Sequence, residues 1–136
     1  MQQEHQMTIQ SCVLIVEDTE LVVWLLTSYC QNLGFAVDHA PGVKVASELL
    51  VQKQYQLILM DLGLGDGDGK ALTEWIRKEE NLNQQTPIIV QSAHMNETLK
   101  RACLEAGANE VFVKPLNQTI LEKLLKDSAN ALLHSH

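Results

Sequence analysis

The stretch that decides the fold is YQLILMDLGLGDGDGK, residues 55–70. Its apolar part, residues 57–60, is short and rich in Leu and Ile, which is typical of a strand buried between two layers. Asp61 follows directly, and the chain then changes to glycines and aspartates. Because ligands of open α/β sheets bind at the carboxyl ends of the strands, the position of Asp61 makes its carboxylate a functional candidate.

Segments of strand and helix character alternate on both sides of this stretch. The other strand-like runs are residues 12–16, 35–40, 87–92 and 110–113. The helical patterns cover about 20–33, 43–54, 70–80 and 96–106, followed by a last helix that begins after Asn117. Gly34 and Gly107 are expected to end the first and fourth helices, and Asn96 to cap the fourth. Leu21 and Trp24 belong to the apolar spacing of the first helix. Five strands alternating with five helices predict an α/β fold with a parallel sheet covered on both faces, and the alternating run 35–40 is expected near the sheet's edge.

Length and composition limit the chain to one folded unit. Its 136 residues are one domain's worth and can bury a core without disulfide or metal support. The polar residues 1–10 are predicted to be a flexible leader or linker, residues 11–133 the folded domain, and residues 134–136 a frayed tail.

Charge and cysteine usage exclude several functions. The formal net charge is −7 and no Lys/Arg cluster offsets it, so direct nucleic-acid binding is not expected. Cys12, Cys30 and Cys103 are odd in number and lack CxxC spacing, which argues against a disulfide framework or a zinc site and for a reducing compartment. No apolar run approaches the roughly 20 residues that span a bilayer, so no membrane contact is expected and the segment is predicted to be cytoplasmic.

Polar side chains lie at the carboxyl ends of four of the five predicted strands. They are Glu17 and Asp18 after the first, Asp61 after the third, Ser92 at the end of the fourth and Lys114 after the fifth. Because these strand ends would meet in one crevice, the three carboxylates are expected to lie close together. Each would then have its pKa raised by the others unless a cation lies among them, and Mg²⁺ prefers such oxygen ligands. With a lysine and a hydroxyl added, the set suits phosphoryl transfer, in which Asp61 would be the in-line nucleophile.

In these residues the chain resembles the receiver domain of two-component response regulators, over residues 11–133. The resemblance rests on four features in order: the acidic pair Glu17-Asp18, Asp61 with Gly69 eight residues on, Ser92-Ala93, and Lys114-Pro115. It implies a flavodoxin-like fold whose five-stranded sheet has the order 2-1-3-4-5. It also implies that the Lys-Pro peptide is cis, as is usual in the family.

The resemblance further implies the roles of the site residues. Mg²⁺, or Mn²⁺, would be held by Glu17 or Asp18, by Asp61 and by the backbone carbonyl of Gly63. Asp61 would accept a phosphoryl group from phosphohistidine. Lys114 would pair with the phosphate, and Ser92 would contact it after a shift. The implied partners are a histidine kinase or a histidine phosphotransfer domain, and an effector or fused output domain; homodimerisation is left open.

The chain departs from the family pattern at three positions. Where the family usually has Pro, four residues after the acceptor, this chain has Gly65, so the loop is expected to be more mobile. The family's aromatic switch position holds Val111, with Phe112 one place late, and the first acidic position holds Glu17. The neighbouring Asp66 and Asp68 are interpreted as turn and capping residues.

Several alternatives stay open from the sequence. The sequence around Asp61 looks more like that of receivers in hybrid sensor histidine kinases than like that of receivers in transcription factors. On this interpretation the chain is a fragment of a longer protein and its leader is a linker. Gly65 and Val111 would also suit a phosphorylation-independent interaction module. A small Mg²⁺-dependent phosphatase would usually carry a second acid at the position that Gly63 occupies. Whether a receiver that phosphorylates and dephosphorylates itself counts as an enzyme is left open.

Overall fold

Strands and helices alternate through residues 11–133, the part of the chain that the computed structural model describes; the predicted leader 1–10 and tail 134–136 lie outside it. The elements in chain order are β1 Cys12–Val16, α1 Glu20–Asn32, β2 Ala36–Ala40, α2 Val43–Gln52, β3 Leu57–Asp61, β4 Gly63–Leu64, β5 Gly67–Asp68, α3 Gly69–Lys78, β6 Ile88–Ser92, α4 Glu97–Ala106, β7 Glu110–Val113 and α5 Gln118–Leu133.

The main sheet has five parallel strands in the order β2-β1-β3-β6-β7. Since β4 and β5 form a separate two-stranded hairpin, the predicted fourth and fifth strands are β6 and β7, and the expected order 2-1-3-4-5 is confirmed. The alternating strand β2 lies at the edge, as its pattern predicted. Asp61 at the end of β3 is paired with Gln91 of β6, so the carboxyl ends of these strands lie at the same level.

Two apolar cores cover the two faces of the sheet. On one face Leu14 and Ile58 pack with residues of α2, α3 and α4, among them Leu50, Ile76 and Cys103. On the other face Ile15 and Leu59 pack with residues of α1 and α5, among them Leu26, Leu121 and Leu125. Because both faces of β1 and β3 are covered, these strands are apolar at successive positions rather than alternating.

Local signals at the end of α1 and at both ends of α4 act as the sequence predicted. The Asn96 side chain accepts a hydrogen bond from the backbone N–H of Leu99 at 2.8 Å and caps α4. Gly107 ends that helix with φ +118°, and Gly34 follows α1 with φ +92°. These backbone angles favour glycine because its missing Cβ removes the steric penalty.

The first helix differs from the sequence interpretation. Leu21 and Trp24 share its apolar spacing, yet they are 72% and 65% exposed. The buried residues of α1 are Leu26 and Cys30. A helix on a sheet buries a stripe along one side, and α1 has more apolar residues than that stripe accommodates.

The cysteines and the helices agree with the compositional expectations within the described residues. Cys12, Cys30 and Cys103 are all buried and unpaired. Across residues 11–133, none of the helices combines the length and apolar character that a bilayer crossing requires.

Candidate functional site

Three carboxylates meet at the carboxyl edge of the sheet. β1 and β3 are neighbours, with Val16 opposite Met60, so Glu17 and Asp61 follow paired positions. One oxygen from each of Glu17, Asp18 and Asp61 lies within 4.8 Å of the others. Glu17 is 0% and Asp61 6% exposed, whereas Asp18 faces solvent. The cluster therefore has two buried acids and one that opens to the surface.

Lys114 brings a positive charge into this cluster. Its Nζ lies 2.8 Å from Glu17 Oε1 and 3.3 Å from Asp61 Oδ1. The residue follows β7, where its backbone N–H donates to Ser92 O at 2.8 Å, and its peptide bond to Pro115 is cis, as the resemblance implied. From that position the side chain reaches across β6 to both buried acids.

The charges of the cluster are not balanced. Burial, followed by the negative charge of Glu17, raises the pKa of Asp61, while Lys114 offsets part of the rise. Burial would lower the pKa of Lys114, but its hydrogen bond to Glu17 and the charges of Glu17 and Asp61 outweigh that and raise the pKa. Three carboxylates face one ammonium group. This oxygen-rich donor set, with its excess negative charge, fits a hard divalent cation such as Mg²⁺.

Backbone contacts hold Glu17 in place. Its Oε2 accepts a hydrogen bond from the backbone N–H of Thr19 at 3.1 Å. Its N–H donates to Ala40 O at 3.0 Å, and its carbonyl oxygen lies 2.8 Å from Nε2 of His39, within hydrogen-bond distance. The contribution of His39 did not emerge from the sequence, because the residue lies 22 positions away and only the pairing of β1 with β2 brings it alongside.

Ser92 and Gly63 were also predicted to belong to the site. Ser92 ends β6, one residue beyond the partner of Asp61, and its Oγ accepts a hydrogen bond from the backbone N–H of His94 at 3.4 Å. Gly63 is exposed and begins β4, two residues after Asp61. Both therefore lie at the edge that carries the carboxylates, while their predicted contacts to metal and phosphate remain predictions.

The turn after Asp61 explains two of the glycines and aspartates. A Cβ at Gly69 would overlap the carbonyl oxygen of Asp61, so only glycine allows α3 to begin so close to the end of β3. Asp68 caps α3 by accepting a hydrogen bond from the backbone N–H of Lys70 at 2.8 Å. Asp66 lies in the turn between β4 and β5, so the interpretation of these two aspartates as turn and capping residues is confirmed.

Fold and site together define the class of protein: a flavodoxin-like α/β domain with a carboxylate crevice at the carboxyl edge of its parallel sheet. Residues 13–126 match the family model described as the response regulator receiver domain, so the chain belongs to this family of two-component signalling domains.

Known proteins similar to the chain include sensor kinases and transcriptional regulators. The chain is 36% identical over 115 residues to the autoinducer 2 sensor kinase/phosphatase LuxQ of Vibrio parahaemolyticus. The aligned residues make up 85% of this chain and 13% of LuxQ. It is 34% identical over 110 residues to the transcriptional regulatory protein PmrA of Pectobacterium parmentieri, 81% of this chain and 48% of PmrA. The chain thus spans less than half the length of either relative.

A solved structure with the same fold carries a metal. The receiver domain of the sensor histidine kinase PA1611 from Pseudomonas aeruginosa, described with a magnesium ion coordinated in its active-site cleft, aligns with a TM-score of 0.80 at 28% identity. The alignment covers 90% of this chain and 99% of that one.

Proposed function

We propose that this receiver domain takes a phosphoryl group from the phosphohistidine of a histidine kinase or histidine phosphotransfer domain onto Asp61, with Mg²⁺ or Mn²⁺ as cofactor. One observation carries the proposal: the buried Asp61 carboxylate lies 3.3 Å from Lys114 Nζ and shares a cluster with Glu17 and Asp18. The proposal assigns Asp61 as the nucleophile, Lys114 as the cation that pairs with the phosphate, and the carboxylate cluster as the metal ligands.

The chain's own groups suit each part of the transfer. An ionised Asp61 oxygen attacks phosphorus, the bond from phosphorus to the donor's imidazole nitrogen breaks, and that nitrogen keeps the electron pair and takes a proton. Burial raises the pKa of Asp61, and the Lys114 ammonium opposes this rise and favours the ionised, nucleophilic form. Glu17, Asp18, Asp61 and the Gly63 carbonyl would hold a Mg²⁺ ion, which would supply further neutralisation of the phosphoryl oxygens.

The added phosphate changes the charge of the site and thereby the surface around it. The modification adds about −1.5 to −2 charge, for which Lys114 is the nearest ammonium group and the Ser92 hydroxyl a hydrogen-bond donor. Ser92 ends β6 and Lys114 follows β7, and these strands lead into α4 and α5. Their movement toward the phosphate would switch a protein-interaction surface formed by α4, β7 and α5.

The aromatic residue near the switch position faces the wrong way to act there. Val111 is half-buried against the core that α2, α3 and α4 cover, whereas Phe112 packs against the α1 and α5 core. Since side chains alternate along a strand, Phe112 cannot replace an aromatic residue at position 111. The proposed switch therefore works with the aliphatic Val111.

We further propose that the chain is the cytoplasmic receiver module of a larger signalling protein, a hybrid sensor histidine kinase. The sensor kinases among its relatives and the Asp-Leu-Gly-Leu sequence at residues 61–64 support this origin. In this arrangement residues 11–133 are the receiver and residues 1–10 belong to a linker.

Phosphorylation by a small phosphodonor tests the function directly. The chain is incubated with acetyl phosphate and Mg²⁺, and intact-mass spectrometry is expected to detect the addition of one phosphoryl group. Asp61→Asn should abolish the addition, whereas Asp68→Asn, which changes an exposed capping carboxylate in the same segment, should leave it intact. An unchanged mass, alongside a receiver of known activity that is modified, would refute the proposal.

Two further measurements separate the rival functions. Beryllofluoride with Mg²⁺ should shift the NMR resonances of α4, β7 and α5; a phosphorylation-independent module would show no such shifts. Turnover of external phosphoesters would instead favour a phosphatase, although the position where such enzymes usually have a second acid is Gly63.

A further inference from the structure

The segment between β3 and α3 is joined to the start of α2 by one side chain. The Asp66 carboxylate accepts hydrogen bonds from the backbone N–H groups of Val43, at 2.7 Å, and Lys44, at 3.1 Å. These two bonds lower the pKa of Asp66. The N-cap residue of α2 is Gly42, which has no side chain to offer, so the cap comes from Asp66, 23 positions after Val43 in the chain.

Two glycines fit this contact. A Cβ at Gly42 would overlap the Asp66 carboxylate, and a Cβ at Gly67 would lie 2.7 Å from Cγ2 of Val43. A side chain at either position would therefore push the segment away from α2. By contrast, a Cβ at Gly65 would meet nothing within 4 Å. The absence of a side chain at Gly42 and Gly67 thus leaves the space in which Asp66 can form its two hydrogen bonds to α2.

The segment needs an anchor of this kind. β4 and β5 contain two residues each, with Gly63 opposite Asp68 and Leu64 opposite Gly67. So short a hairpin is not stable on its own. The family's usual proline is replaced by Gly65, which gives the backbone more freedom. Asp66 lies at the turn of the hairpin, where a bond to a rigid helix restricts it most.

We propose that Asp66 is a positioning residue of the metal site. Its bonds to α2 hold the segment that carries Gly63, three residues away, and so hold the Gly63 carbonyl where a divalent cation can bind it. Asp66 touches neither the cation nor the phosphoryl group. The inference rests on the proposed function, because the role of Gly63 as a metal ligand is part of that proposal.

The test compares Mg²⁺ affinities measured by calorimetric titration at fixed pH and ionic strength. Asp66→Ala should weaken Mg²⁺ binding about tenfold, the lower range for losing a group that orients a metal ligand. Amide exchange at Val43 and Lys44 should be faster in this variant. Asp68→Ala is the matched control, because it removes the same charge from the same segment but breaks only the local cap of α3 and leaves the bonds to α2 intact. This control should change the Mg²⁺ affinity far less.

A double variant separates positioning from helix capping. The three atoms nearest to a Cβ at Gly42 all belong to the Asp66 carboxylate, so Asp66→Ala makes room for a side chain there. Gly42→Ser combined with Asp66→Ala gives α2 a local N-cap without rejoining the segment to the helix. Its melting temperature should recover toward that of the unaltered chain, while Mg²⁺ binding stays weak.

Each outcome decides between the two proposals. An unchanged affinity in Asp66→Ala, or an affinity that recovers together with stability in the double variant, would overturn the positioning role and leave the proposed function standing. If the unaltered chain binds no Mg²⁺, the proposed function fails and the positioning role fails with it.

Discussion

Gln91 is a polar residue buried in an apolar environment. It lies on β6 opposite Asp61, is 1% exposed, and neither its Oε1 nor its Nε2 has a hydrogen-bond partner among the described residues. Its neighbours around a small cavity include Leu25, Leu26 and Leu116. A buried amide without partners costs about 1–3 kcal/mol, so this position lowers the stability of the domain.

Replacing Gln91 by an apolar residue of similar length should stabilise the fold. Gln91→Met keeps the volume and removes both unpaired polar atoms, and we expect the free energy of unfolding in urea to rise by about 1 kcal/mol. Gln91→Ala is the control: it removes the same atoms but leaves a cavity, and should not stabilise the domain. A Gln91→Met variant less stable than the unaltered chain would mean that the amide has a favourable role.

At this scale the sequence predicted the residues that follow strands and missed those that act from a distance. Glu17, Asp61 and Lys114 were identified because the carboxyl ends of parallel strands meet at one edge. His39 and Asp66 were not identified as supports, because each contacts a backbone group 22 or 23 positions away. Such a contact depends on side-chain direction and on which loops lie side by side, which no local pattern encodes.

At the scale of elements, Asn83 links three parts of the chain. Its Oδ1 accepts a hydrogen bond from Tyr55 N–H at 2.8 Å, and its Nδ2 donates to Leu50 O at 2.9 Å and Lys53 O at 2.8 Å. The residue is fully buried in the connection between α3 and β6. It thereby fixes the end of α2 and the start of β3 against that connection.

Asn83→Ala should cost more than the loss of an ordinary helix cap. Three backbone groups lose their partner in a buried place, and we expect the free energy of unfolding to fall by about 3 kcal/mol. Asn96→Ala removes the exposed cap of α4 and should cost about 1 kcal/mol. Urea unfolding of both variants makes the comparison, and equal losses would show that the Asn83 bonds contribute no more than one cap.

These two asparagines also show which element features a sequence reveals. The cap at Asn96 was predicted because its partner Leu99 is three residues away and the pattern is local. The role of Asn83 was not, because its bonds span 28 to 33 positions. The hairpin of β4 and β5 was likewise taken for a loop, since two strands of two residues have no periodicity to detect.

At the scale of the whole molecule, ionisation of the buried Asp61 carboxyl group opposes folding at neutral pH when no metal is bound. Burial and the charge of Glu17 raise the pKa of Asp61 above its ordinary value of 3.8, so the folded state holds the proton more tightly than the unfolded chain. Stability therefore falls as the pH rises from 3.8 through the raised pKa, and the penalty is fully present above it. Lys114 does not alter this trend, because its pKa is raised above 10.5 and its charge is constant over that range.

Asp61→Asn should therefore stabilise the metal-free domain at pH 7, with a gain that shrinks as the pH is lowered toward the unfolded-state pKa. Thermal unfolding in EDTA between pH 4 and pH 8, values chosen to bracket the unperturbed carboxyl range, measures the gain. Glu105→Gln, an exposed carboxylate on α4, is the control and should change stability by less than about 0.5 kcal/mol. Mg²⁺ at about 100 times its dissociation constant should then stabilise the unaltered chain by about 2.7 kcal/mol. The same Mg²⁺ concentration should stabilise the Asp61→Asn variant far less, because the variant binds the ion more weakly. A variant less stable than the unaltered chain in EDTA at neutral pH would show that the ion pair between Asp61 and Lys114 outweighs burial and the repulsion from Glu17.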